Sequence, residues 1–164
     1  VFAGPTTNGA CVSQSPSDRD ADGGPGGWLD PELRAVLGLL PNLGDLSAKT
    51  LPAMRASLAP AAPSEPPPGL SIRRVDVPGL DGEPLGSGLL YAPQGPKGRR
   101  PALLHLHGGG YVGGSAQRDD PAVRQMAQRL GAVVLSLDYR LAPETAYPGA
   151  LHDAYAGLAW LHQY

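Results

Sequence analysis

The sequence predicts an α/β fold, and three stretches predict it. Ala102 to Leu106 is a short apolar run that stops at three consecutive glycines, Gly108, Gly109 and Gly110, and reads as a buried strand ending in a turn. Val123, Met126, Ala127 and Leu130 then repeat at helical spacing, and Ala132 to Leu137 is a second buried strand. Strand, helix and strand in that order imply parallel strands joined by a crossover. Upstream, residues 72–77 alternate as in a half-exposed strand, and Leu85 to Ala92 reads as its partner across a turn at Gly79 to Gly82.

The remaining elements follow from local chemistry. Residues 1–27 are rich in Ser, Asp, Gly and Pro, bury too little apolar surface to offset their ordering entropy, and are expected to be a disordered tail. Residues 28–58 carry two helical patterns. In the first, Asp30 is the N-cap, Pro31 the first helical residue, and Leu33, Val36, Leu37 and Leu40 share a face. In the second, Ser47 is the expected cap and Leu51, Met54 and Leu58 share a face. Residues 59–69 hold five prolines and form an extended, stiff linker. Residues 70–164 are the α/β domain. Its first long helix starts at Asp119 or Asp120, with Pro121 in its first turn, and is closed by Gly131. Its last helix begins at Pro148, with Leu151, Tyr155, Leu158 and Leu161 expected to face inward.

Composition excludes several function classes. Net charge is −2, so no basic excess points to nucleic acid or an anionic membrane as a partner. No apolar run approaches the ~18 residues of a membrane span. Cys11 is the only cysteine, which rules out an intrachain disulfide and a cysteine-based metal site. No signal-peptide pattern is visible at the start, and a cytoplasmic location is expected.

The chemistry centres on His107-Gly108-Gly109-Gly110-Tyr111. Three glycines let backbone N–H groups approach a ligand closely, and a strand ending in such donors can stabilise an anion without charged side chains. A second motif, Asp138-Tyr139-Arg140-Leu141-Ala142-Pro143-Glu144, follows the next strand, with Tyr147-Pro148-Gly149 after it. Together these motifs resemble the N-terminal half of the hormone-sensitive-lipase-like esterases of the α/β-hydrolase fold. The resemblance covers residues 70–164 and is weaker over 28–58.

That resemblance implies a carboxylic ester hydrolase working through an acyl-enzyme, with an ester as its small-molecule partner and no cofactor. Gly109 and Gly110 would supply the oxyanion-hole amides, Gly108 would shape the turn, and Tyr111 would line the acyl pocket. His107 would anchor the loop. Asp138, Arg140 and Glu144 would brace the following loop through hydrogen bonds and an ion pair. The helices of residues 28–58 would form a cap, although plain packing also accounts for them. A homo-oligomer of the full-length protein stays open. The G-x-S-x-G nucleophile motif is missing from this sequence, so the serine, acid and histidine are expected beyond Tyr164.

Three other readings compete. Gly108-x-Gly110-x-x-Gly113 matches a dinucleotide fingerprint, but the next helix starts well after the last glycine and Asp138 lies beyond the usual ~20 residues. His105 and His107 share a strand face without a third metal ligand nearby. A substituted triad would leave a binding protein rather than an enzyme. Lacking the neighbouring strand that carries the nucleophile in the resembled fold, residues 102–106 would present an unpaired apolar edge. The 164-residue chain alone is therefore expected to be unstable and inactive. Cooperative unfolding of the purified chain, with hydrolysis of a short p-nitrophenyl ester, would overturn that expectation.

Overall fold

The computed structural model describes residues 30, 32–33, 36, 46–60, 62, 64–79, 84–95 and 98–164. The chain divides into two units, Val1–Leu43 and Gly44–Tyr164. In the first unit Glu32, Leu33 and Val36 are helical, and the Glu32 N–H donates to Asp30 Oδ1 at 2.9 Å, the cap expected from the sequence. The tail of residues 1–27, with Cys11, lies outside the described residues, as does most of the first predicted helix.

The second unit starts with helix α1 (Leu51–Ser57), which buries Leu51 and Met54. Ser47 caps the turn that leads into it, and its carbonyl accepts from the Leu51 N–H at 2.9 Å. Its N–H bonds Thr50 Oγ1 at 2.9 Å and its hydroxyl accepts from the Thr50 N–H at 3.3 Å, which closes the turn preceding the helix. The unit boundary falls between the two predicted N-terminal helices, so α1 groups with the sheet.

Strands β1 (Leu70–Pro78) and β2 (Pro84–Pro93) form the expected antiparallel hairpin. Strand β3 (Ala102–Leu106), helix α2 (Asp120–Leu130) and strand β4 (Val133–Asp138) form the strand–helix–strand unit, and β3 and β4 are parallel. Helix α3 (Gly149–Gln163) closes the chain. The sheet order is β1-β2-β4-β3, so the hairpin attaches through β2 to β4 and β3 is an edge.

Alternation along the strands separates two cores. Val75, Val77, Leu90, Leu135, Leu137 and Leu161 pack on the α3 face. Leu70, Tyr91, Val123, Ala127 and Val134 pack on the α2 face. On that second face the Tyr91 hydroxyl donates to Asp120 Oδ1 at 2.8 Å, and Arg124 Nε donates to Asp120 Oδ2 at 2.7 Å. Burial, with Asp120 alongside, pushes the Tyr91 phenol far above its usual range and keeps it a donor. Arg124 also donates to the carbonyls of Ser64 and Glu65, which ties the proline-rich stretch to α2.

Two expected helix faces need correction. Gly131 closes α2 with φ +58° as predicted, and Val123 and Ala127 are buried. Leu130, however, is 57% exposed and Met126 only half-buried, so the buried apolar stripe of α2 is Val123 and Ala127. In α3 only Leu161 of the four predicted residues faces inward; Leu151, Tyr155 and Leu158 are all more than half exposed. The buried stripe is instead Gly149, Asp153, Ala156, Gly157 and Leu161. Small residues let this helix lie close to the sheet. A Cβ on Gly157 would stand 3.1 Å from Leu137 Cδ2 and 3.4 Å from Leu104 Cδ1. Asp153 fixes the rotation of the helix. It is fully buried, and its carboxylate accepts the Arg140 backbone N–H at 2.8 Å and the Arg140 guanidinium at 2.7 Å.

This pair should respond asymmetrically to mutation. Arg140→Met leaves a buried carboxylate with one backbone donor and should cost about 3 kcal/mol. Asp153→Ala leaves a half-exposed guanidinium that water can reach and should cost about 2 kcal/mol. Urea unfolding midpoints of the two variants measure the order.

Candidate active site

Residues Leu106 to Leu137 set the geometry of the site. Leu106 pairs with Leu137 in the parallel ladder, so β3 and β4 end side by side. The loops that follow them line a cavity of about 740 Å³ beyond the carboxyl ends of the strands. His107, Gly108, Gly109, Gly110 and Tyr111 line it from the β3 side. Tyr139, Ala142, Thr145, Tyr147 and Leu151 line it from the β4 and α3 side. Ligand sites of open α/β sheets form beyond the carboxyl ends of the strands.

The glycine loop is closed on itself. The Gly109 carbonyl accepts from the N–H of Val112 at 3.2 Å and of Gly113 at 3.1 Å. Gly109 has φ +131°, and a Cβ there would overlap the Gly113 carbonyl. Gly114 has φ +93°, and a Cβ there would overlap the Gly108 carbonyl and the His107 ring. Both positions therefore require glycine. Among the described residues, the N–H groups of Gly108, Gly109 and Gly110 donate to no protein acceptor. Tyr111 holds φ +64°, a conformation that costs a non-glycine residue about 1–2 kcal/mol. Its carbonyl accepts from the Ala142 N–H at 2.8 Å, which fastens the first loop to the second.

Each residue expected in the site can now be placed. His107 is 4% exposed, stacks on Tyr139 with centroids 4.2 Å apart, and contacts its neighbour's carbonyl through Nδ1. Tyr111 lines the cavity and is 66% exposed. Asp138, Arg140 and Glu144 do not line the cavity. Asp138 Oδ1 accepts the Ala116 N–H at 2.6 Å, while its Oδ2 faces Arg74 at 3.4 Å. Arg140 pairs with Asp153. Glu144 receives both Nη groups of Arg55, at 2.7 and 2.8 Å.

Sequence reasoning missed three of these participants. Tyr139 donates its hydroxyl to the His107 carbonyl at 2.8 Å and lines the cavity. Its position directly after a buried strand was the available signal. Asp153 was signalled by falling on a stripe with Gly149, Ala156 and Gly157 at helical spacing. Arg55 had no local signal, because its partners lie 57 to 89 residues further on.

The competing readings fare differently. Helix α2 begins at Asp120, seven residues after Gly113, and Asp138 is already hydrogen-bonded, which leaves the dinucleotide pattern without its helix and its free acid. Among the described residues no group of three metal-ligating side chains occurs. His105 contacts Ser136 Oγ at 3.0 Å and Asp119 at 3.6 Å, an array that imitates a catalytic triad. Ser136 is completely buried, so it cannot meet a substrate. Burial pulls the His105 imidazole below its ordinary value, which keeps it neutral at pH 7.

An open α/β sheet with a cavity above the ends of two parallel strands defines the class. The sequence model of the α/β-hydrolase fold family matches residues 103–164. Esterase LipI of Mycobacterium tuberculosis is 36% identical over 152 residues, covering 90% of this chain and 45% of that protein. Hormone-sensitive lipase of Bos taurus is 39% identical over 72 residues, 44% of this chain and 10% of the lipase. The solved structure of a bacterial heroin esterase superposes with a TM-score of 0.67 at 38% identity, over 82% of this chain and 43% of that one. The chain has part of an α/β-hydrolase fold and is similar, over part of their length, to esterases and to hormone-sensitive lipase. It spans less than half the length of these relatives.

The Arg55–Glu144 pair yields a pH prediction. Hydrogen bonds from Arg55, then a backbone bond and the adjacent charge, hold the Glu144 carboxyl at about 2, below its ordinary 4.5. A lowered folded value means that the link is fully present above about pH 4.5 and is lost as pH falls through about 2. NMR titration of the Glu144 carboxyl should give a midpoint near 2, returning towards 4.5 in Arg55→Gln.

Proposed function

We propose that the polypeptide carrying this chain is a serine carboxylesterase acting on small esters, and that this segment supplies its oxyanion hole. The observation that carries the reading is a cavity lined by Gly108, Gly109 and Gly110, whose N–H groups have no protein acceptor among the described residues. Nucleophilic attack on an ester carbonyl turns the carbonyl oxygen into an oxyanion. Gly109 and Gly110 provide the N–H donors for it, and Gly108 shapes the turn that presents them. Each such donor is worth about 3–4 kcal/mol of barrier. The bonds from Val112 and Gly113 to the Gly109 carbonyl, and from Ala142 to the Tyr111 carbonyl, hold the loop before substrate arrives, so little reorganisation is left for the reacting step.

His107 serves as an anchor. Its ring is covered by Tyr139 and its carbonyl is occupied by the Tyr139 hydroxyl, so it is not the general base. Tyr111 and the apolar wall around Leu151 bound the acyl group. The nucleophile, acid and general base come from sequence outside these 164 residues. Relatives named esterase, lipase and carboxylesterase support the reaction class.

In the full polypeptide, p-nitrophenyl acetate should be hydrolysed and a phosphonofluoridate should label a single serine. Gly109→Ala forces the loop off the Gly113 carbonyl and should lower kcat by about 100-fold. A folded full polypeptide that neither hydrolyses short esters nor takes the label would leave the binding-protein reading in its place.

A further inference from the structure

We infer that Arg55 is a positioning residue for the glycine loop, and that α1 acts through it as a brace for the oxyanion hole. The inference rests on the esterase reading above. The Arg55 guanidinium makes contacts in three directions. Nε donates to the Val112 carbonyl at 2.7 Å, Nη2 to the Ala142 carbonyl at 2.9 Å, and both Nη groups to Glu144. Val112 belongs to the β3 loop and Ala142 to the β4 loop. One planar fork therefore spans both rims of the cavity, beside the direct bond from the Ala142 N–H to the Tyr111 carbonyl.

Position along the chain shows what the fork controls. Val112 directly follows Tyr111, the residue held at φ +64°. A strained conformation persists only when its surroundings over-determine it. Arg55 grips the carbonyl one residue later, on the same turn whose first carbonyl is Gly109. Met54 and Leu58 complete the seat. Their side-chain atoms lie 3.4 and 3.3 Å from where a Cβ on Gly113 would stand, so α1 packs flush on bare loop backbone. Glu144 neutralises the guanidinium and fixes its plane, which aims the remaining donors at the two carbonyls. Lysine offers a point charge and no fork, so it cannot make these contacts together.

The experiment compares Arg55→Gln, Arg55→Lys and Glu144→Gln in the full polypeptide. Arg55→Gln should lower kcat for p-nitrophenyl acetate about 10- to 100-fold with KM changed less than about 3-fold, because misplacing the donors weakens transition-state binding. Arg55→Lys should fail to restore more than about a third of the lost kcat. Glu144→Gln keeps both carbonyl contacts and should cost only about 2- to 5-fold. Amide hydrogen exchange at Val112, Gly113 and Ala142 should quicken about 10-fold in Arg55→Gln, while the β4 amides keep their protection. An Arg55→Gln protein with wild-type kcat, or with unchanged exchange at those three amides, would overturn the inference. A wild-type polypeptide inactive on esters defeats the esterase reading instead, and the exchange data still decide whether Arg55 holds the loop.

Discussion

The parallel register of β3 against β4 governs everything above the sheet. Leu106 stands opposite Leu137, so both strands stop at one level and their following loops face each other. The Tyr139 hydroxyl then reaches the His107 carbonyl, and its ring stacks on the His107 imidazole. A slip of one residue would turn Leu135 and Leu137 from one face of the sheet to the other. The packing of α3 against those leucines therefore fixes the same register that brings the two loops together.

Much of this was written locally in the sequence. The hairpin, the strand–helix–strand unit, Pro121 at the start of α2 and Gly131 at its end all follow from neighbours a few residues apart. The glycine loop was legible for the same reason, since three adjacent residues lacking Cβ have few other uses. Helix α3 departs from the expected face because its large apolar residues Leu151, Tyr155 and Leu158 point outward. The helix instead turns Ala156 and Gly157 to the sheet and holds that rotation with the buried Asp153. Close helix–sheet packing favours small residues, and periodicity weighted by hydrophobicity looks past them. Arg55 was invisible for a different reason: its three contacts are all tertiary, and nothing at residue 55 distinguishes it from a solvent-facing helical arginine.

The exposed surface carries a matching message. Strand β3 forms one edge of the sheet, and Leu106 at its end is 46% exposed. Leu151, Tyr155 and Leu158 form an outward stripe on α3, and Leu130 ends α2 uncovered. Single exposed leucines are ordinary, but a strand edge that is unpaired among the described residues is a hazard that sheets usually cover.

The grip of Arg124 on the Ser64 and Glu65 carbonyls has a further consequence for α1. Only six peptide steps separate Leu58 from Ser64, a leash that reaches about 20 Å at full stretch. Were the helix to lift from its seat, it would remain in a small volume around it. Return is then a local search rather than a diffusive encounter. A helix of seven residues, too short to persist alone, can in this way keep a near-permanent place on the loop through brief departures and rapid recapture.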